Sequence, residues 1–282
     1  MRNHYFIFFF LLLRRINKMT NNRQSYFLNE VKDIVVWSGG VDSTILLHKL
    51  LQRSSVQEPI GALSIDHTFL GTGKRKAEEF YRQKYINEHV NENKLSLIHE
   101  TMRFDSDHQF TGGNGMAQIT AWVANAVQIA GDESTLYLGV LSGYDQVLRL
   151  HLVQRMVDNI NIMTGKKVKV AYPLLEDLMM NKREAILRAA NEDLLKYCWQ
   201  CEFTHEKSEN EFVPCVVHKP FNVCRSCQTH IFGLFDAMLI ARAKSNKRCI
   251  DALTIELKRY GIEKFSVKEM EKVISHFMML FK

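Results

Sequence analysis

The chain has 282 residues, 46% of them hydrophobic and 24% charged, which is enough apolar material for a buried core and excludes a largely disordered chain. Its formal charge is +6, but Arg2, Arg14, Arg15, Lys18 and Arg23 all precede the first acid, Glu30. The body behind them is nearly neutral, so charge alone does not indicate a nucleic-acid-binding surface.

The leader, residues 1–24, holds an apolar run, YFIFFFLLL, between Arg2 and the Arg14-Arg15 pair. The run is too short to span a bilayer, and no small-x-small cleavage site follows it. It reads as an upstream extension or a misassigned start ahead of Met19 rather than as an anchor or export signal. No membrane partner is expected, and the expected compartment is the cytoplasm.

The first element after the leader is a strand formed by Ile34, Val35, Val36 and Trp37, and Ile45, Leu46, Leu47, Leu50 and Leu51 follow at helical spacing. Between them lie Ser38, Gly39, Gly40, Val41, Asp42, Ser43 and Thr44. Two glycines let the backbone approach an anion closely, and the free N–H groups and dipole of the helix's first turn favour phosphate. Ser38, Ser43 and Thr44 add hydroxyls. Asp42 would repel a phosphate directly, so it is better placed holding the loop's own N–H groups or a magnesium ion bridging a pyrophosphate. The same residues also suit ordinary turn and cap chemistry; the flanking strand and helix favour the pyrophosphate loop.

Residues 60–66 form a second strand ending in Asp66, 74–90 a charged amphipathic helix, 95–98 a third strand, 118–130 a helix and 136–141 a fourth strand. This alternation predicts an α/β fold with a doubly wound parallel sheet, whose ligands collect at the carboxyl ends of the strands. The loop after Trp37, Asp66 and the turn Ser142-Gly143-Tyr144-Asp145 would lie there. Gly112, Gly113, Asn114 and Gly115 form either a plain connector or a loop that closes over substrate. A strand over 168–171 ends at Pro173 and precedes a helix over 181–190. These features set a nucleotide-binding domain at 25–190 and a C-terminal helical, metal-binding region at 191–282.

All six cysteines fall in the last third: Cys198, Cys201, Cys215, Cys224, Cys227 and Cys249. Cys198/Cys201 and Cys224/Cys227 are Cys-x2-Cys pairs, a spacing that puts two thiolates on adjacent corners of a zinc tetrahedron. Five clustered cysteines compete for four positions, and a symmetric ribbon would use Cys198, Cys201, Cys224 and Cys227. His205, His218 and His230 lack ligand spacing and read as surface histidines.

The Ser-Gly-Gly-x-Asp-Ser sequence after a hydrophobic strand resembles the signature of the N-type ATP pyrophosphatases, or PP-loop enzymes, which adenylate a substrate and release pyrophosphate. Together with the cysteines, the chain resembles more narrowly the 7-cyano-7-deazaguanine synthase family. The order covers roughly residues 33–245: Ser38 to Ser43, Gly139-Val140 with Asp145, Pro173-Leu174 with Lys182, Trp199-Gln200-Cys201, and Cys224 with Cys227. Carried over residue by residue, the resemblance implies Cys201, Cys215, Cys224 and Cys227 as zinc ligands, with Cys198 as the alternative. Position 221 is Phe where that family has a cysteine, the family's Arg-Asn segment is not recognisable, and the basic tail from Lys244 runs past its usual end. The chain is thus a divergent relative whose acceptor could differ.

The resemblance implies ATP, Mg2+ and Zn2+ as cofactors. It also implies an ATP-dependent carbon–nitrogen ligase that adenylates the carboxylate of 7-carboxy-7-deazaguanine for attack by ammonia, giving the nitrile. In that reading Asp42, Ser43 and Lys182 are catalytic, while Ser38, Gly39, Gly40, Val41, Asp42, Ser43, Thr44, Asp66, Gly139 and Asp145 bind the nucleotide. Lys182 alone would read as an exposed helix lysine. The alternatives are a PP-loop sulfurtransferase acting on transfer RNA, or a relative that joins a deazaguanine to a protein or nucleic-acid amine. A second copy of the chain and a macromolecular acceptor stay open as partners.

Overall fold

The computed structural model describes residues 28–67, 72–104, 115–143, 145–218 and 223–263, with a few isolated positions beyond. The leader, the Gly112-Gly113-Asn114 loop, Tyr144 and the side chain of Asp145 lie outside the described residues.

Five strands, β1 (Asp33–Val36), β2 (Ile60–His67), β3 (Leu97–Phe104), β4 (Thr135–Tyr137) and β5 (Lys169–Ala171), form one sheet in the order β3-β2-β1-β4-β5. All four pairings are parallel; Ile34 lies opposite Gly61 on one side and Leu136 on the other. Strand order therefore reverses at β1, and the crevice between the ends of β1 and β4 is the topological switch point where such sheets bind ligands.

Side chains alternate across this sheet as strand geometry demands. Val35, Ile60 and Ala62 face one core, shared with α1 (Val41–Leu51), α2 (Thr72–Tyr85) and the cysteine-rich segment. Ile34, Val36, Leu63, Ile65 and Leu136 face the other, packed by Val123 and Val127 of α3 (Gly115–Ile129) and Val153 and Val157 of α4 (Leu150–Thr164). Helices thus cover both faces, and the fold is the expected doubly wound α/β sheet. Lys166 ties the second layer together by donating to the carbonyls of Val127, Gln128 and Ala130 at the end of α3, where the helix dipole favours a cation.

Beyond the sheet the chain forms α5 (Pro173–Glu176), α6 (Lys182–Asn191), the antiparallel pair β6 (His205–Ser208) and β7 (Glu211–Val213), α7 (Cys215–His218), α8 (Arg225–Ala243) and α9 (Lys247–Arg259). Asn181 and Glu184 form a capping box that starts α6. Gly233 of α8 lets α6 approach closely: a Cβ there would lie 2.6 Å from Ile186 Cδ1. The first core runs without interruption from Val41 and Leu47 of α1 through Ile186 of α6 to Leu234 of α8 and Leu253 of α9.

Several elements differ from the sequence-based reading. The third strand begins later and runs longer than 95–98, because the polar stretch HETMRF alternates as an edge strand: Ile98 and Met102 pack inward while Thr101 and Arg103 are exposed. The fourth strand stops at Tyr137, after which Leu138, Val140 and Leu141 stay buried outside the strand. Helix α4 and the β6–β7 hairpin were not anticipated.

Candidate functional site

Trp37 follows β1 with its N–H on the Leu63 carbonyl and its indole N–H on Thr44 Oγ1 at 3.1 Å. The turn behind it needs Gly39, at φ +84, a conformation that other residues adopt only at a cost. Gly40 is then the N-cap of α1 and contributes no capping side chain. First-turn N–H groups of a helix lack intrahelical acceptors, so this end of α1 is suited to an anion. Ser38 Oγ accepts from Gly40 N at 3.2 Å and lies 3.0 Å from Ser43 Oγ, which fixes both hydroxyls over the turn. Thr44, read from sequence as a phosphate donor, is fully buried with its hydroxyl turned toward Trp37.

Gly139 explains why β4 ends where it does. A Cβ at this position would lie 2.8 Å from Ser43 N and 2.9 Å from Asp42 C, so only glycine lets the chain after β4 cross the first turn of α1. The structure thus brings Gly139 against Asp42 and Ser43.

Lys182 opens α6 and extends to the loop: its Nζ lies 2.9 Å from Asp42 Oδ1, with both side chains largely buried. It is not an exposed helix lysine. Asp66, at the carboxyl end of β2, is also buried, and its Oδ1 accepts from Arg82 of α2 at 3.1 Å. Arg82 donates onward to the Ser38 carbonyl at 3.3 Å. Asp66 therefore sits beside the loop through Arg82, a residue the sequence reading missed. Its signal was present: Lys74, Glu78 and Arg82 recur every fourth residue on α2, and all three are buried. Lys74 continues the line, 2.6 Å from Glu202. Burial alone would lower the Lys74 pKa, but Glu78 and Glu202 outweigh it and hold the ammonium above its ordinary value.

Behind the loop, Ser64 Oγ donates to the Trp37 carbonyl at 2.8 Å and lies 2.9 Å from His99 Nε2. A hydroxyl has one proton, so His99 donates here and carries its hydrogen on Nε2. Burial, then the nearby Arg82, pushes the His99 pKa down to about 4.

The cysteines form a separate centre. Ligand sulfurs of Cys201, Cys215, Cys224 and Cys227 all lie within 4.8 Å of one another, and all four residues are buried. Backbone N–H groups point at them: Cys215 N to Cys201 Sγ, Cys224 N to Cys215 Sγ, and both Glu202 N and Cys227 N to Cys224 Sγ. Cys224 is the N-cap of α8, a position whose dipole favours thiolate. Hydrogen bonds from Cys201 first, then Cys215 and Cys227, draw its pKa well down. The same cluster pushes Cys227 up. Four packed thiols with amide donors aimed at sulfur fit a tetrahedral cation. The Cys215–Cys227 separation of 3.7 Å is close to the roughly 3.8 Å edge of a tetrahedron with zinc–sulfur bonds of about 2.3 Å.

Cys198 lies apart from that cluster, donating to the Leu194 carbonyl at 3.2 Å, and burial pushes its thiol up to about 12. His230 is not a surface histidine. It is fully buried beneath α9, with Nε2 3.1 Å from Glu256, which also pairs with Arg259 at 2.9 Å. The two centres are joined by backbone: Trp199 N donates to the Gly39 carbonyl at 3.0 Å, two residues before the ligand-placed Cys201. Trp199 is held by stacking on Tyr81 at 5.2 Å and by its indole N–H on Thr204.

Fold and site together define a doubly wound α/β domain with an anion-competent loop at its switch point and a closed four-thiol centre docked beside it. No protein-family model matches the chain, and a search of curated proteins finds no match. Among solved structures it is similar to the U34-tRNA thiolase NcsA from Methanococcus maripaludis with its 4Fe-4S cluster, at 14% identity and a TM-score of 0.42 over 87% of this chain and 78% of that one. A likeness of this degree transfers no residue role and no activity. Among the described residues no helix is long and apolar enough to cross a membrane.

Proposed function

We propose that the protein is an ATP-dependent adenylating enzyme of the PP-loop type, acting on the carboxylate of a deazaguanine-like acceptor and passing it to ammonia. The observation that carries this reading is the Ser38-to-Ser43 turn, uncapped by a side chain and placed at the β1/β4 switch point beside the Lys182–Asp42 pair.

A carboxylate is too poor an electrophile for ammonia. Transfer of AMP from ATP to one carboxylate oxygen expels pyrophosphate and leaves an acyl-adenylate; ammonia adds to its carbonyl carbon, and AMP departs as an amide and a proton are formed. A second ATP would adenylate the amide oxygen, and loss of AMP and a proton would leave the nitrile. The loop's N–H groups, Ser38, Ser43 and the Lys182 ammonium would stabilise the charge of the departing pyrophosphate. Asp42 would hold magnesium brought in with the nucleotide, which neutralises phosphate charge. Asp66 would support the nucleoside side of the site.

The four cysteines would hold zinc as a closed structural site, with no ligand position left for catalysis. Cysteine sulfurs within 4.8 Å of one another favour a single ion over a larger iron–sulfur core. A sulfurtransferase would use the same loop to activate a nucleobase oxygen, but it calls for a reactive thiol. Cys198, whose thiol burial pushes up to about 12, is a poor candidate.

The test offers ATP, magnesium and carboxy-deazaguanine with either ammonia or sulfide and follows pyrophosphate, AMP and product mass. Nitrile or amide formed with ammonia supports the proposal. Adenylate formed with no ammonia product points to another acceptor, and no pyrophosphate release under any condition refutes ATP use.

A further inference from the structure

Gln200 occupies a place that the chemistry above does not use. It lies between Trp199, whose N–H is bonded to the Gly39 carbonyl, and Cys201, one of the four clustered thiols. A Cβ on Gly40 would lie 2.9 Å from Gln200 Nε2 and 3.6 Å from its Oε1, so the carboxamide rests against the glycine that opens α1. Nε2 is buried and has no hydrogen-bond partner among the described residues.

An unpaired buried amide donor is costly, and at a binding site it points to an acceptor that arrives with the ligand. The same holds on the opposite flank of the turn. Arg82 Nε and Asp66 Oδ2 are also buried without partners among the described residues, and Arg82 Cγ lies 3.4 Å from where a Gly39 Cβ would be. At Gly40 itself the helix N-terminus selects for negative charge, so the acceptor that suits Gln200 is an anionic oxygen.

We propose that Gln200 is a phosphate-binding residue: its Nε2 donates to a phosphoryl oxygen of the nucleotide or pyrophosphate held by the Ser38-to-Ser43 turn. The cysteine centre supplies this donor by anchoring the next residue, Cys201, while Trp199 pins the turn to Gly39. The four-thiol site is then more than a staple, because it presents one wall of the phosphate site. This inference rests on the ATP reading given above.

The experiment measures magnesium-pyrophosphate affinity of the zinc-loaded full chain by calorimetry, with zinc content and melting temperature recorded for each variant. Gln200→Leu removes the donor, and Gln200→Glu keeps the shape while setting a carboxylate against phosphate. A hydrogen bond to a charged oxygen predicts a loss of about ten- to a hundredfold in affinity for Gln200→Leu and more for Gln200→Glu, with zinc content and melting temperature unchanged. Unchanged affinity in either folded, zinc-loaded variant overturns the proposal, as does a loss that appears only in step with lost zinc. If the wild-type chain binds neither pyrophosphate nor ATP, the ATP reading falls and this one with it. Binding by wild type with no effect of either variant removes this one alone.

Discussion

Lys182 Nζ lies 2.9 Å from Asp42 Oδ1, so the first residue of α6 is tied to the first turn of α1 across 140 positions of sequence. The pair sets a cation at the mouth of the loop and keeps the Asp42 carboxylate from acting alone against phosphate. It also brings α6, in the segment after Pro173, against the first turn of α1.

On the proposed ATP reading, Lys182→Ala removes that cation and leaves Asp42 facing the triphosphate. Loss of one charge-stabilising donor at a leaving group lowers turnover by about a hundredfold or more. Pyrophosphate release should fall accordingly while zinc content stays unchanged. Lys182→Arg should restore only part of the rate, because guanidinium geometry differs from that of ammonium. Full activity in Lys182→Ala would remove it from the site.

The cysteine geometry separates Cys215 from Cys198. Cys215→Ser breaks the four-thiol set, so the purified protein should lose its bound metal and unfold at lower temperature. Cys198→Ser should retain about one zinc per chain. Elemental analysis decides both, and iron in place of zinc would overturn the assignment of the centre. Chelation of the wild type should also weaken nucleotide binding, since Cys201 is two residues from the Trp199 contact with Gly39.

Asp66 and Arg82 are each only a few per cent exposed and form a buried ion pair at 3.1 Å. Removing one partner strands a buried charge, which costs about 3–5 kcal/mol. Asp66→Ala should therefore unfold well below the wild type in urea, and Asp66→Asn, which can still accept from Arg82, should lose less. Equal stability of Asp66→Ala and wild type would contradict the geometry.

The sheet was legible because β-branched runs such as IVVW and the alternation in IGALSID carry strand periodicity directly, and the tight turn into α1 because two adjacent glycines stand between a strand and a helix. The edge strand β3 was partly hidden, since its outward residues are polar and dilute the apolar signal of Ile98 and Met102. The four-thiol set was ambiguous from spacing, because Cys198 and Cys201 form as good a pair as Cys224 and Cys227. What separated them was the path of the chain: the turn after Tyr197 sends Cys198 back onto Leu194 while Cys201 points to α8. Gln200 was illegible beside the loop, since it reaches it from an element distant in sequence, whereas Arg82 left a trace only in the fourfold spacing of Lys74, Glu78 and Arg82. His230 misled because its partner, Glu256, lies on another helix.

Gly139→Ala tests the crossing of the chain after β4 over α1. Its Cβ would meet backbone atoms of Asp42 and Ser43 inside 3.0 Å, so the loop itself must shift. Overpacking of this kind costs about 1–3 kcal/mol, and nucleotide binding should fall with stability. Gly143→Ala is the control: nothing lies within 4 Å of its added Cβ, but φ is +85, so it should cost about 1 kcal/mol of strain and leave the loop intact. Thermal melting and ATP titration of the two variants should therefore diverge in binding more than in stability.

His99 gives the fold a defined acid sensitivity. Its pKa stands at about 4 against an ordinary 6.5, lowered by burial and then by Arg82, so between these values the unfolded chain binds the proton and the folded chain does not. Stability contributed by the neutral ring is fully present above about 6.5 and is lost as pH falls toward 4. Protonation would also set a positive charge beside Arg82 and disturb the Ser64 contact that supports the Trp37 carbonyl. His48, likewise pushed down to about 4 by burial, then by His89 and Arg188, loses stability in the same window. His99→Gln, which can still donate to Ser64 but does not titrate, should flatten the decline without abolishing it. Urea denaturation at a series of pH values measures this directly, and a wild-type curve that is flat from pH 7 to 4 would show that neither histidine is buried in its neutral form.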